Sequence, residues 1–216
     1  MIERGTLMFA ASAILAFAAQ AATLKVVVVD ADGVPVEEAV VSVLPALGEK
    51  PKVAPGAPTV IKQEKNQFVP KVTLVTQGTK LRFQNTDPWD HHIRATTGNQ
   101  FGVDYVPLFQ ARQNATIEGK TPVTYDVAVD TAGVVLLGCH LHSSMTGYVY
   151  VSESPWSAKT GADGVANLDN LPSGEVKVTL WQANEIRVIP VKLVTLSGVI
   201  TVVNHQLSVR VRKRRI

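Results

Sequence analysis

No stretch of this chain keeps an apolar residue at every third or fourth position for long enough to make an amphipathic helix. The sequence offers instead short β-branched runs, interrupted by glycine or proline every ten or so residues. Thr23 to Asp30 carries Leu24 and four consecutive valines, Asp32-Gly33 marks a turn, and Ala39 to Leu44 reads as a second strand. Lys71 to Thr76 and Thr79 to Gln84 flank the turn Gln77-Gly78, with Leu81 and Phe83 alternating in the second. Val123 to Val129 alternates, Thr131-Ala132-Gly133 turns into Val134 to Leu137, and Tyr148 to Val151 follows. Val165 to Leu168 and Glu175 to Trp181 lie either side of Pro172-Ser173-Gly174, and residues 186–211 hold two or three more β-branched runs. Residues 45–58 carry four prolines and read as a linker or long loop, while Gly98 to Gln113 has no clean period and is expected to be loop, with a short helix as the alternative. The class is all-β, as two sandwiches or barrels, and 46% hydrophobic against 18% charged residues is enough to fill their cores.

Residues 1–21 read as a secretory signal. Arg4 precedes an apolar run, Leu7 to Ala19, that is short for a bilayer span, which needs about 20 residues. The run ends in Ala19-Gln20-Ala21, so cleavage is expected after Ala21, with Ala22 the near rival. The mature chain is then expected to be periplasmic or otherwise exported, with no membrane span. Cys139 is the only cysteine, so no internal disulfide can form, and a lone thiol in an oxidising compartment must be buried or bound to metal. The net charge of +3 owes much to Arg210 through Arg215, which read as a solvated basic tail. With no aromatic residues among those arginines, nucleic acid is not an expected partner.

The most informative segment is Gly138-Cys139-His140-Leu141-His142-Ser143-Ser144-Met145-Thr146-Gly147. It offers thiolate, imidazole and thioether at three-residue intervals. Soft sulfur ligands select copper, and two histidines with one cysteine and a long axial methionine describe an electron-transfer copper site. Zinc prefers more thiolates or a carboxylate and gains nothing from a thioether. A further imidazole must come from elsewhere, and His91-His92 are the only histidines upstream. Adjacent strand residues point to opposite faces. His91 shares its face with apolar Ile93 and His92 with Arg94, so His91 is the expected ligand. The metal set is therefore His91, Cys139, His142 and Met145, holding one copper ion that cycles between Cu(I) and Cu(II). His140 and His92 are expected beside the site without ligating, and His205 is expected to be structural. Asp87, Asp90 and Asp104 read as solvated turn residues. No phosphate loop, Ser–His–Asp order or paired catalytic glutamates stand out, and four protein ligands leave no open position for substrate, so an enzyme is not expected.

The order strand, glycine, strand, Asn, His, then Gly-strand-Cys-x-x-His-x-x-Met resembles the cupredoxin (blue-copper) superfamily, with the short ligand loop of amicyanin-like members. Asn85-Thr86-Asp87, His91-His92 and Gly133 to Met145 are similar to the periplasmic methylamine-utilisation-type cupredoxins. The resemblance implies a Greek-key β-sandwich and gives Asn85 the role of steadying the Cys139 loop through hydrogen bonds. Val28 to Val43 and Thr160 to Leu180 resemble the two halves of a second, smaller sandwich, of the carboxypeptidase-regulatory-like, prealbumin (Ig-like) type. About 110 residues separate the halves, so the copper domain would be an insertion at a loop whose ends lie close together. The expected layout is signal 1–21, a discontinuous sandwich of 22–45 plus 155–205, a copper domain at 46–154 and a tail at 206–216. The expected function is a type 1 (blue) copper one-electron carrier whose redox partner is a c-type cytochrome or a dehydrogenase. The alternatives are a copper carrier or sensor, and an adhesion or assembly module in which copper is incidental.

Overall fold

The computed structural model describes residues 21–97 and 106–211, so all but the last residue of the expected signal segment, together with Asp104 and the last five residues, lie outside the described residues. Sixteen strands and no helix are found among them. The outer pair at the start of the chain is β1 (Ala22–Val29) and β2 (Val40–Pro45). Nine follow: β3 (Thr59–Glu64), β4 (Gln67–Val69), β5 (Val72–Thr76), β6 (Thr79–Asn85), β7 (His91–Thr97), β8 (Val106–Gln113), β9 (Val123–Val129), β10 (Gly133–Cys139) and β11 (Thr146–Ser152). The last five are β12 (Trp156–Lys159), β13 (Val165–Leu171), β14 (Gly174–Trp181), β15 (Lys192–Leu196) and β16 (Ile200–Gln206).

The nine middle strands make a central sandwich, with one sheet ordered β5-β11-β10-β7-β8 and the other β4-β3-β6-β9. β5–β11 and β3–β6 are parallel and the remaining pairs antiparallel. Period-two patterning drives this: in β6, Thr79, Leu81, Phe83 and Asn85 are buried while Lys80 and Arg82 face out. Phe83 meets Phe68 edge-on at 6.4 Å inside a core that also holds Ile61, Ile93, Leu137, Cys139, Met145 and Val149.

The other seven strands make a flanking sandwich, with sheets β13-β1-β16 and β12-β2-β14-β15. β1 alternates without a break, burying Ala22, Leu24, Val26 and Val28 against Val41, Val43, Leu168, Val178 and Leu180. The turns fit closely: a Cβ at Gly164 (φ +74°) would stand 2.5 Å from the Val28 carbonyl oxygen, so only glycine closes that corner.

The two sandwiches meet along a seam of Val40, Val72 and Trp181, joined by Leu74, Val134, Tyr148 and Tyr150. Trp181 lies 5.4 Å from Tyr148 and 6.0 Å from Tyr150, ring to ring. The hydroxyls of Ser42, Ser152 and Ser157 link across the same junction, and Lys159 donates to the Val72 carbonyl at 2.6 Å.

Two expectations need correction. Val106–Gln113 is a strand, not a loop. Its first three residues, Val106, Pro107 and Leu108, are exposed, and the inward alternation of Phe109, Ala111 and Gln113 starts only after them, which hides the period. Residues 206–211 are also not a solvated tail. Leu207 is buried and donates its N–H to Val29, Val209 accepts from Ala31, and the Val211 N–H reaches the Asp30 carboxylate. Arg210 pairs with Asp32, and Ser208 gives both its N–H and its hydroxyl to Glu185. These contacts draw the segment across the end of the flanking sandwich.

Trp181→Ala is expected to cost about 3–5 kcal/mol, as for other large aromatic truncations, and to lower the urea midpoint. The Trp181 indole N–H has no acceptor among the described residues, so Trp181→Phe should keep most of the stability that Trp181→Ala loses. The carboxyls fastening the last segment generate a pH dependence. Asp30 is held below its ordinary value chiefly by the Val34 N–H, against burial and with help from the Asp32 and Val211 amides. At Glu185 burial pushes the carboxyl upward, but the Ser208 hydroxyl and amide and the Arg187 amide outweigh it and leave it lowered. Groups depressed on folding stabilise above their unfolded value, about 4 for carboxylates, and stop doing so as pH falls through the folded one. Amide exchange at Ser208 and Val211 should therefore be slow and level from neutral pH down to about 5, once corrected for intrinsic rates. Protection should fall below about 4, and Asp30→Asn should flatten that dependence at Val211.

Candidate metal centre

Two loops at one end of the central sandwich build the site. The first joins β6 to β7 and delivers His91 as the opening residue of β7. His91, Ile93 and Ala95 face inward, while His92 is half-buried and Arg94 exposed. The second joins β10 to β11. Cys139 closes β10 opposite Ile93, and the next peptide continues that ladder, with the His140 N–H on the His92 carbonyl at 2.9 Å. A tight turn, Met145 N–H to His142 carbonyl at 3.0 Å, folds the loop back so that Met145 is buried in the apolar cluster that includes Cys139.

Three donor atoms converge. Cys139 Sγ lies 3.8 Å from His91 Nδ1 and 3.6 Å from His142 Nδ1, and the two Nδ1 atoms are 3.1 Å apart. A triangle with these sides has its equidistant point about 2.0 Å from each corner, the length of a bond from a d-block ion to imidazole nitrogen. His91 and Cys139 are buried and His142 is half-buried, and the three can hold a metal ion. The donor set of one thiolate and two imidazoles, with a buried thioether in the same cluster, fits copper. The His92 backbone N–H points at Cys139 Sγ from 3.4 Å.

The far side of His91 is what the sequence did not disclose. Its Nε2 lies 2.8 Å from Asp87 Oδ2, and both side chains are almost fully buried. An Nε2–H donated to this carboxylate leaves the Nδ1 lone pair facing Cys139 and His142. Asp87 is itself held by the hairpin turn between β3 and β4: the Lys65 N–H donates to Oδ1 at 2.6 Å and the Asn66 N–H to Oδ2 at 3.1 Å. Lys65 and Asn66 have φ of 53° and 58°, the left-handed pair of a type I′ turn, which aims both amides at the acid. Asn66 also accepts the Trp89 indole N–H at 2.7 Å and so pins the loop that carries Asp87. Asp87 is thus a buried partner of His91 and not a solvated turn residue. The signal that could have found it is chemical: a ligating imidazole needs an acceptor on its second nitrogen, and Asp87 stands in the loop that delivers His91.

The other singled-out residues fall as follows. Asn85 is buried, but its amide donates to the Trp89 and Asn114 carbonyls and its oxygen accepts from the Asp87 N–H. It braces the loop before His91, whereas the resemblance had it steadying the Cys139 loop. The rings of His92 and His140 face each other at 4.8 Å outside the donor triangle. Asp90 accepts from Ala115 and pairs with Arg112, whose guanidinium chiefly holds its carboxyl below the ordinary value. His205 lies on β16 in the flanking sandwich, where burial lowers its pKa, aided by Lys192.

No protein-family model matches this chain, and no curated protein matches it. Among solved structures it is similar to a purple cupredoxin from Nitrosopumilus maritimus, at 21% identity and a TM-score of 0.36, over 45% of this chain and 100% of that one. It is also similar to amicyanin from Paracoccus versutus, at 18% identity and a TM-score of 0.36, over 46% of this chain and 92% of that one. A mutant amicyanin in its reduced Cu(I) form is similar at 20% identity and a TM-score of 0.35, over 46% and 86%. At such identities and TM-scores, the function of this chain has to be read from its own residues.

Asp87→Ala is expected to weaken metal binding by about 10- to 100-fold, the usual cost of losing the partner of a ligating histidine. Competition against a chelator of known affinity would measure it. The same change leaves the Lys65 and Asn66 amides without their acceptor, at about 1–3 kcal/mol each. Asp87→Asn keeps one acceptor oxygen, so it should recover part of both losses.

Proposed function

We propose that this chain is a single-copper protein that passes one electron at a time between partner proteins, with His91, Cys139, His142 and Met145 holding the ion. The observation that carries this reading is the triangle of one sulfur and two nitrogens, buried at His91 and Cys139 and half-exposed at His142, whose three donor atoms converge on a common centre. Bound copper would supply the Cu(I)/Cu(II) couple. The chain's own residues do the rest. Asp87 keeps the proton of His91 on Nε2, and the His92 N–H braces the Cys139 sulfur. Ile93, Phe83 and Leu137 are buried in the same core as Cys139 and Met145, which keeps water from that side of the site. With both loops braced by hydrogen bonds from neighbouring strands, the donors move little between oxidation states.

Four protein donors favour a carrier over an enzyme, since substrate would find no free position. Residues 1–21 support export, and a c-type cytochrome or a dehydrogenase is the class of partner such a carrier serves. Copper delivery is the competing reading, because the His142 ring is half-exposed and gives a Cu(I) acceptor a way in.

Copper-loaded, oxidised protein is expected to show an intense thiolate-to-copper absorption band at one copper per chain, lost in Cys139→Ser. His91→Ala should lose the band and His92→Ala keep it; the reverse would move the ligand to His92. A reversible voltammetric wave with copper retained beside a Cu(I) chelator would support electron transfer, whereas rapid loss of Cu(I) to the chelator would support delivery.

A further inference from the structure

Beside the donor triangle, the outer face of the β8-β7-β10 sheet carries a group of polar side chains that the metal centre does not use. Strand register sets them side by side. On β7, His92 and Arg94 point outward; on β8, Arg112 is opposite His92 and Gln110 opposite Arg94. On β10, Gly138 is opposite Arg94, and the next bond brings His140 across from His92. Arg94 makes no ion pair among the described residues, whereas Arg82 and Arg210 are both paired with aspartates. Arg112 is the near neighbour, sharing Asp90 at 3.0 Å while most of its side chain stays in solvent.

Gly138 explains why Arg94 lies where it does. A Cβ at this position would stand 2.8 Å from Arg94 Nε, so the guanidinium rests directly on the peptide that precedes Cys139. The same spot opens into a cleft of about 320 Å³ lined by Arg94, Thr96, Leu136, Leu137, Gly138 and Thr146. A cation with no ion pair among the described residues, a bare backbone and two threonines form a shallow recess one residue from the sulfur donor. The whole chain carries only +3, so this positive site is local. Arginine in a fork geometry beside a cleft suits carboxylates, and complementary charge raises encounter rates with an acidic surface.

We propose that this face, centred on Arg94 and Gly138 with Arg112 at its rim, is where an acidic redox protein docks to exchange electrons with the site through the Gly138–Cys139 peptide. The proposal rests on the copper reading above. Two arms separate the failure of one from the failure of the other.

The first arm uses reduced, copper-loaded protein and two one-electron oxidants of opposite charge. Hexacyanoferrate(III) takes one electron to become hexacyanoferrate(II); tris(phenanthroline)cobalt(III) takes one to become the cobalt(II) complex. At low ionic strength, the double variant Arg94→Glu with Arg112→Glu should react with hexacyanoferrate about tenfold more slowly and with the cobalt complex faster. A control with the same change in net charge, Lys52→Glu with Lys177→Glu, uses exposed lysines elsewhere and should change either rate by less than about twofold. Equal effects in the two double variants would show that only net charge matters, and no effect of Arg94→Glu with Arg112→Glu would place the exchange on another face; either result overturns the proposal.

The second arm needs no copper. Poly-L-glutamate titrated into nitrogen-15-labelled, metal-free protein should shift the amides of Arg94, Thr96, Gly138 and Thr146 in the wild type and not in the arginine double variant. Shifts centred elsewhere, or unchanged in the variant, overturn the docking face. Absence of the thiolate-to-copper band, with these shifts intact, overturns the copper reading and its electron-exchange step while leaving the acidic docking face standing.

Discussion

The carboxylate of Asp87 ties three pieces of chain together in the dry interior: the β3–β4 hairpin turn, the loop out of β6 and the first residue of β7. An acid buried to this degree is costly unless its oxygens are matched by donors. Here two backbone amides and one imidazole match them. The arrangement works in both directions. The hairpin turn needs an acceptor for its two aimed amides, and His91 needs one for its second nitrogen, so a single side chain settles both. With His91 fixed, the Cys139 loop has a firm edge to complete, because Cys139 and His140 extend the ladder along β7. The donor triangle is the end point of this chain of supports.

The flanking sandwich relates to the site more distantly. Its seam with the central sandwich lies on β5, β10 and β11, through Val72, Leu74, Val134, Tyr148 and Tyr150. β11 is therefore packed on both faces, with Val149 and Val151 inward and the tyrosines against Trp181. Since β11 follows directly from Met145, rigidity at the seam is passed to the C-terminal end of the ligand loop. β8, the outer strand of the same sheet, carries no such cover, and its first half is exposed.

Much of this was legible in the residues because period and chemistry agreed. β1 and β6 alternate cleanly, and the Cys-x-x-His spacing already points to Cys139 and His142, two of the three residues whose donor atoms converge. The strand alternation that separates His91 from His92 also runs through β7 as the sequence suggests. What was hidden had physical reasons. β8 begins with three exposed residues, so the inward face of Phe109 and Ala111 is too short to set a period. The segment after Gln206 looks like a charged tail because its holding contacts, to Asp30, Asp32 and Glu185, come from distant parts of the chain. Asp87 and Asn85 sit in a polar stretch whose burial depends on a hairpin turn some twenty residues earlier, a contact that local composition does not encode.

β1 lies between β13 and β16, and pairs with β16 in parallel from Thr23↔Ile200 to Val29↔Gln206. Its neighbours are therefore made only after the whole central sandwich has been synthesised. Bringing the ends of so long a loop together in a disordered chain is slow, since closure entropy rises with length and distant contacts govern the rate. A central sandwich that has already folded shortens that search, because β2 and β12, which flank it in sequence, pair with each other directly. The strands around Cys139 are contiguous in sequence, whereas the first strand of the fold is enclosed only once the last is in place.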